Sequence, residues 1–352
     1  MVAELQIQDD ASAIAFGWAQ RTFAARAGKL GTPVASGVGQ FSSWLQGVCP
    51  QIAMTSDGIG TKIEIAERTG NYATLGYDLM AMVIDDLAAN GAEPLALTNI
   101  LDVDVVHGPT VDALMRGLHD AAMASHVAVV GGEIAELGPR IGGFGNGMHF
   151  NWCATAVGQF SPGWQPVDGR TIVEGDAVIA LNSGNWRSNG FSALRRTLGA
   201  QFGPQWHMAQ FADRSWGDWL LEPCRIYAPL IVALRQQHYE LHGLSHITGG
   251  GIPSKFGRTL KASGLGAQLT RLPEPTAAMA EVQRIGTVAD RDAFQFWNMG
   301  SGFLLTVPSS TAAKVVEFAD SLGYTAQIAG EITTEPSIVI ETPRSTLRYA
   351  VH

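Results

Sequence analysis

Ser56-Asp57-Gly58-Ile59-Gly60-Thr61-Lys62, with Asp85-Asp86-Leu87 and Gly131-Gly132-Glu133 further on, is the stretch on which the reading of this chain turns. It combines glycines that let backbone N–H groups approach phosphate oxygens, one lysine, and carboxylates fit for a hard cation. These are the parts of a nucleoside-triphosphate site. The spacing is not that of a Walker loop: Gly-x-x-x-x-Gly-Lys-Ser/Thr is absent, and Gly58 and Gly60 stand too close to Lys62. Another phosphate-binding solution is therefore expected, delivered by a short strand over residues 51–55.

Outward from that loop the pattern alternates. The spacing predicts an N-terminal helix over 11–27 that stops at Gly28, a helix over 76–91, a strand over 95–103, a helix over 110–125 and a strand over 127–130. A glycine-rich loop over 138–148 and a strand over 150–158 close this half. Gly, Pro and Asp cluster over 162–175, which marks a joint between a domain 1–161 and a domain 171–352. The second half repeats the alternation: strands over 177–181, 244–247, 302–307 and 328–331, and helices over 192–198, 223–239, 254–262 and 311–322. The insert 201–216, with two Trp and few aliphatics, reads as a surface excursion.

Composition narrows the function classes. A chain of 352 residues with 46% hydrophobic content buries one or two full cores. A net charge of −9 with no basic stripe excludes a nucleic-acid backbone as partner, and no apolar run is long enough for a membrane span. Met1 to Asp10 lacks the basic start and apolar core of a secretion signal, so a soluble, cytoplasmic protein is expected. Cys49, Cys153 and Cys224 are far apart and odd in number, which fits neither a disulfide framework nor Cys-x-x-Cys metal spacing.

Further signatures continue in order. They are Gly76-Tyr77-Asp78-Leu79-Met80-Ala81-Met82, Gly91-Ala92-Glu93-Pro94, Val130-Gly131-Gly132-Glu133, Ser188-Asn189-Gly190-Phe191-Ser192 and Leu221-Glu222-Pro223-Cys224-Arg225-Ile226-Tyr227. His246-Ile247-Thr248-Gly249-Gly250-Gly251 and Asn298-Met299-Gly300-Ser301-Gly302 complete the series. Together they resemble the phosphoribosylformylglycinamidine cyclo-ligases, the aminoimidazole ribonucleotide synthetases of purine biosynthesis, over roughly residues 50–335. The first signatures are shared with a wider group of ATP-dependent synthetases and kinases. The later ones, His246 to Gly251 above all, point to the cyclo-ligase branch.

The resemblance implies a two-domain α/β synthetase fold acting as a homodimer. Its N-terminal domains pair into a barrel-like core that binds ATP and magnesium, and its C-terminal α/β domain completes the site for a small-molecule substrate, a ribonucleotide. The implied reaction is that of an ATP-dependent ligase: phosphorylation of a formamide oxygen, then intramolecular ring closure. By family position Asp57, Asp85 and Glu133 are the expected metal ligands, with Asp86 competing for the place of Asp85 beside the nucleotide. Gly58, Gly60, Thr61, Lys62, Gly131 and Gly132 are expected against ATP. A plain structural reading stands beside each: a turn residue, a helix-surface charge, a loop charge, an exposed lysine.

His246 is the acid–base candidate, because imidazole titrates nearest neutrality and it ends a strand before a flexible loop. The alternative is a histidine capping that loop. Asn189 can bond an amide or formyl oxygen, or can be a left-handed turn residue before Gly190. Arg187, Ser188, Lys255 and Arg258 are the expected substrate contacts, the cations toward a ribose 5′-phosphate, with solvated surface charge as the alternative.

Departures from the family pattern cluster on the substrate side. Gly184-Asn185-Trp186-Arg187 replaces Gly-Pro-His and is one residue longer, only Arg258 survives of a Glu-Asn-Ile-Pro-Arg run, and Gln295 replaces an arginine. Near the nucleotide, Asp85 stands for an asparagine and Asn151 for an aspartate, and only Asp9-Asp10 is left near a missing N-terminal signature. If Asp85 and Asn151 face one cluster, its charge is unchanged. Two further readings follow: a paralogue that activates a carbonyl oxygen of another substrate in specialised nucleoside or heterocycle synthesis, or a non-catalytic nucleotide-binding homologue.

Overall fold

A computed structural model describes residues 51–351 throughout and, before them, 14–15, 17–29, 31–33 and 45–47. Asp9-Asp10, Cys49 and most of the loop after Gly31 lie outside the described residues. The chain forms two compact units. The first holds Met1–Leu87, Ala92–Gly163 and Leu220–Pro229; the second holds Ala88–Gly91, Trp164–Trp219 and Leu230–His352.

The first unit is built on four strands: β1 (Ile52–Gly58), β2 (Glu93–Val103), β3 (Ala128–Glu136) and β4 (Phe150–Gln159). Their order is β1-β4-β2-β3, antiparallel except for the β2–β3 pair, which is parallel. That parallel pair needs a crossover, supplied by α3 (Gly108–Ser125), which has Pro109 in its first turn and ends at His126 in the left-handed region. Val111, Leu114, Met115 and Leu118 recur at helical spacing and are buried. Between β1 and β2 run α1 (Ile63–Thr69) and α2 (Leu75–Ala88). On the opposite parity of the strands Ile52, Met54 and Ile100 are 52%, 63% and 50% exposed, an apolar set that the single chain leaves uncovered.

Two expectations are corrected here. The strand expected over 127–130 runs on to Glu136, so Gly131, Gly132 and Glu133 sit inside β3, paired with Thr98, Asn99 and Ile100, and not in a loop after it. The helix expected over 223–239 begins only at Ala228, where α5 (Ala228–Gln236) starts.

The second unit carries seven strands: β5 (Ala177–Asn182), β6 (Gly243–His246), β7 (Gly266–Leu269), β8 (Ser301–Val307), β9 (Ala326–Thr333), β10 (Ser337–Glu341) and β11 (Thr346–Ala350). Their order is β6-β8-β5-β9-β7-β10-β11, and β7–β10 is the parallel pair. Every residue of β8 is buried and five of the six in β5, which explains their continuous apolar runs. Helices α4 (Phe191–Phe202), α6 (Gly251–Leu260), α7 (Ala277–Ile285), α8 (Asp290–Phe296) and α9 (Ala312–Ser321) complete it. The insert 201–216 is not a bare excursion. Trp206 and Trp216 are buried, and Phe211 stacks on Trp216 with ring centres 4.9 Å apart.

Candidate functional site

In the first unit the charges of the opening motif meet one another. Gly60, with φ +68°, turns the chain into a 3₁₀ turn, Gly60–Lys62, that carries Lys62 inward. The Lys62 ammonium is fully buried, 2.8 Å from Asp78 Oδ1 and donating to the Glu222 carbonyl at 2.7 Å. Asp78 Oδ1 also accepts from the Cys224 amide at 3.0 Å. Two turns along α2, Asp85 is equally buried, and its Oδ1 accepts from the Tyr227 and Ala228 amides at 2.8 Å each. These are orphan donors at the start of α5, which is why that helix begins where it does.

In this structure Lys62 and Asp85 are thus engaged within the protein. Both hold the returning segment Leu220–Pro229 to the first unit, and the Leu221-to-Tyr227 signature is the strand of backbone they hold. Sequence reading missed Asp78 as the partner of Lys62. Its signal was present in Gly76-Tyr77-Asp78, the one carboxylate in the apolar stretch 75–84 of that helix.

The expected metal set does not assemble. Asp57 lies in β1 opposite Ala154, and its Oδ1 accepts from the Gly58 amide at 2.7 Å. Among the described residues no three His, Cys, Asp or Glu side chains stand together in a way that could hold a metal ion. Asp57, Asp85 and Glu133 thus form no three-carboxylate cluster among the described residues, and a magnesium ion held by one or two of them would complete its shell with phosphate oxygens and water. Asn151 is exposed on β4 opposite Asp102 while Asp85 is buried, so the exchanged pair does not share one cluster.

Gly131, Gly132 and Glu133 do line a cavity of about 380 Å³, with Trp18, Asn99 and His119. Asn99 ties it together, accepting from Trp152 Nε1 at 2.9 Å and donating to the Gly131 carbonyl at 3.4 Å. A Cβ on Gly132 would come within 2.5 Å of the Asn99 carbonyl, so this glycine answers the close approach of β2. Gly58, Gly60, Thr61, Lys62 and Asp86 do not line the cavity; Gly60 and Thr61 are exposed and Asp86 is half-buried on α2.

In the second unit three signatures converge at one end of the sheet, where β5 and β6 end and antiparallel β8 begins. Asn298 is the hub: its Oδ1 accepts from Ser183 Oγ and the Gly300 amide at 3.0 Å each, and its Nδ2 donates to the Asn185 carbonyl at 2.9 Å. Asn185 Oδ1 in turn accepts the Arg187 amide at 2.7 Å. Arg187 takes a left-handed φ of +59° and lies buried with its guanidinium on His246 Nε2, 2.8 Å away. A guanidinium only donates, so Nε2 accepts and the ring proton belongs on Nδ1.

The His246 ring also lies on Phe303 at 6.2 Å. Gly190 is required where it stands, since a Cβ there would fall 2.4 Å from the Trp297 ring. The Asn189 carboxamide oxygen lies 3.5 Å from where Gly249 would carry a Cβ, which brings the Ser188-Asn189-Gly190 turn against the triple glycine. Two buried indole donors, Trp186 Nε1 and Trp297 Nε1, have no acceptor among the described residues. Such orphaned donors mark a place for a bound water or ligand. Ser188 is buried near this turn, Lys255 is half-buried on α6, and Arg258 is exposed on α6.

The fold is a two-domain α/β architecture. Residues 47–158 match the family described as AIR synthase related protein, N-terminal domain, and residues 173–342 match its C-terminal domain. The chain belongs to this family, which is enzymatic.

It is 34% identical over 293 residues to the phosphoribosylformylglycinamidine cyclo-ligase of Synechococcus sp. (strain RCC307), covering 82% of this chain and 83% of that protein. To the protein of the same name from Thermococcus gammatolerans it is 33% identical over 325 residues, 92% of each. In fold it is similar to thiamine-monophosphate kinase from Stenotrophomonas maltophilia K279a, with a TM-score of 0.67 and 20% identity over 92% of this chain and 95% of that one. Hydrogenase maturation protein HypE in complex with ATP gives 0.61, with 14% identity over 90% and 89%. Among the described residues no helix is long and apolar enough to cross a membrane.

Proposed function

We propose that the protein is an ATP-dependent cyclo-ligase that closes the ring of a formylglycinamidine ribonucleotide in purine biosynthesis. The observation that carries this reading is the likeness to cyclo-ligases along nearly their whole length, 83% and 92% of the two relatives above. Amide oxygen is a poor leaving group and phosphate a good one, so phosphorylation by ATP makes the formyl carbon attackable. Holding the attacking nitrogen beside it then makes ring closure intramolecular, worth several kcal/mol on the order of the effective molarities of oriented reactants.

In this reading Asn189, the Arg187–His246 pair and the orphaned indole donors hold the reacting carbonyl, and the Gly131-Gly132 cavity receives part of the nucleotide. Magnesium enters only as the counter-ion ATP carries. The uncovered Ile52, Met54 and Ile100 support a homodimer through the first sheet, and the reading places the enzyme in the cytoplasm. The domain 1–161 then serves nucleotide and dimer, and 171–352 the substrate.

A second reading, a paralogue acting on another carbonyl substrate, is favoured by Arg187, which stands where the family pattern carries a histidine and is bonded to His246. Phosphate release from ATP, measured with formylglycinamidine ribonucleotide present and absent, separates the two. The housekeeping reading expects release only with that substrate. Equal release in both conditions, or none in either, removes it.

A further inference from the structure

The second unit contains a cavity of about 600 Å³ walled by α6, α8 and β11. Ser254, Arg258 and Lys261 contribute to it from α6 and the residue after it, at i, i+4 and i+7, which stacks them on one helix face. Arg291 and Gln295 face it from α8, and Tyr349 from β11. Arg291 and Tyr349 brace each other. The guanidinium lies 4.8 Å from the ring centre and donates to the Arg348 carbonyl at 2.9 Å, while the Tyr349 hydroxyl donates to the Arg291 carbonyl at 2.9 Å.

Every charged side chain on this wall is a cation, in a chain whose net charge is −9. Among the described residues Arg258 and Lys261 have no carboxylate partner. The acids nearest by sequence do not neutralise the wall. Asp290 is engaged by Gln283 Nε2 at 2.6 Å and by the hydroxyl of Ser345 at 3.1 Å, and Asp292 is exposed and does not line the cavity. Burial pushes the Tyr349 hydroxyl up to about 12, so it adds no negative charge at neutral pH.

We propose that this cavity binds the phosphate group of a small phosphomonoester, held by Arg258, Lys261 and Arg291. A phosphomonoester carries close to two negative charges at neutral pH, and guanidinium forks meet its oxygens two at a time. Ser254 and the opening turn of α6 add uncharged donors at a helix start, where anions are favoured. The volume suits a sugar- or nucleoside-sized molecule, whereas a nucleic acid needs a cationic track along its backbone. Of the four residues expected from sequence at the substrate, only Arg258 lines this cavity; Lys261, Arg291 and Tyr349 are new to it. The phosphate belongs either to the substrate or to a separate effector, and the inference rests on the proposed function only for choosing between them.

The test is calorimetric titration of the full-length chain, without ATP and at low salt, with inorganic phosphate, ribose 5-phosphate and ribose. Wild type, the double variant Arg258→Gln/Lys261→Gln and the control Arg344→Gln are compared. Arg258 and Lys261 are exposed and have no carboxylate partner among the described residues, so the double variant is expected to keep its unfolding midpoint. Ribose 5-phosphate should bind wild type and control alike and the double variant about 30-fold more weakly, with ribose not binding. Equal binding by the double variant, or ribose binding as well as its phosphate, overturns the proposal.

Turnover assigns the source. A substrate phosphate shows as a KM for formylglycinamidine ribonucleotide raised about 10-fold in the double variant with kcat kept, and as competition by ribose 5-phosphate. An effector site shows as an unchanged KM and a rate that ribose 5-phosphate alters without competing. If wild type has no turnover, the proposed function fails, and the titration alone decides the cavity.

Discussion

The first unit's motif charges end on one another, whereas Arg258 on the second unit's α6 and Lys261 just after it have no carboxylate partner among the described residues. Lys62 meets Asp78 and a carbonyl, and Asp85 meets two amides. Arg258 and Lys261 face a cavity. A lysine after a glycine loop and an arginine after a triple glycine look alike as sequence, and they differ only in whether a buried partner exists. Burial decides the matter physically: a charge at 0% exposure must be paired, while an exposed one is open to a ligand.

Breaking the first region should give the largest effect. Lys62→Ala leaves the Asp78 carboxylate buried without its cation and should cost about 3–5 kcal/mol of unfolding free energy, read from urea denaturation. Lys62→Met/Asp78→Asn removes both charges yet keeps an acceptor for the Cys224 amide, and should recover more than half of that loss. A folded Lys62→Ala of wild-type stability would show that the pair anchors nothing.

Breaking the second region should move rate more than stability. His246→Gln keeps an acceptor for Arg187 through its amide oxygen but loses the ring, so turnover should fall about 100-fold with the unfolding midpoint nearly kept. A matching loss of stability and an unchanged rate per folded molecule would make the pair a structural cap. Asp85→Asn is milder than Lys62→Ala, because a neutral oxygen still accepts from Tyr227 and Ala228; about 1–3 kcal/mol is expected in the same denaturation series.

The smallest effect is a pH slope in the second unit. His242 lies between Asp176, 2.7 Å from Nδ1, and Glu240, 3.0 Å from Nε2. Burial opposes its charge, but the hydrogen bonds to the two carboxylates prevail and raise its pKa. A folded value above the unfolded one, about 6.5, stabilises fully below that pH, and the stabilisation is lost as pH rises through the folded value. Urea midpoints from pH 5.5 to 9 should fall across that window in wild type and flatten in His242→Gln. A parallel fall in the variant would assign the slope to other groups.

Much of the alternation was legible because long apolar runs such as 177–182 and 301–307 and the helical spacing of 108–125 are strong local signals. The region 265–296 was not, since β7 has four residues and α7 and α8 are short and mostly polar. The last hairpin, β10 and β11, was not legible either: Thr346–Ala350 alternates in burial, but Ser337–Glu341 does not. In the site, Asn189 and His246 stood out from their signatures, but the bonds of Asn298 to Ser183 and Asn185 came only with the fold. The Lys62–Asp78 pair did not, because sequence shows charges and not the carbonyl of Glu222 or the amide of Cys224 that folding brings to them. Gly132 shows a related ambiguity: a glycine that admits phosphate and a glycine that admits a neighbouring strand look the same in sequence.

The most direct measurement of the contrast is the affinity of Lys62→Met/Asp78→Asn for ATP with magnesium, by calorimetry, beside wild type. An anchoring role for Lys62 requires a Kd within about threefold of wild type once the variant is folded, since no phosphate contact has been removed. A Kd weakened tenfold or more in a variant with a wild-type unfolding midpoint would return Lys62 to the phosphates and contradict the account.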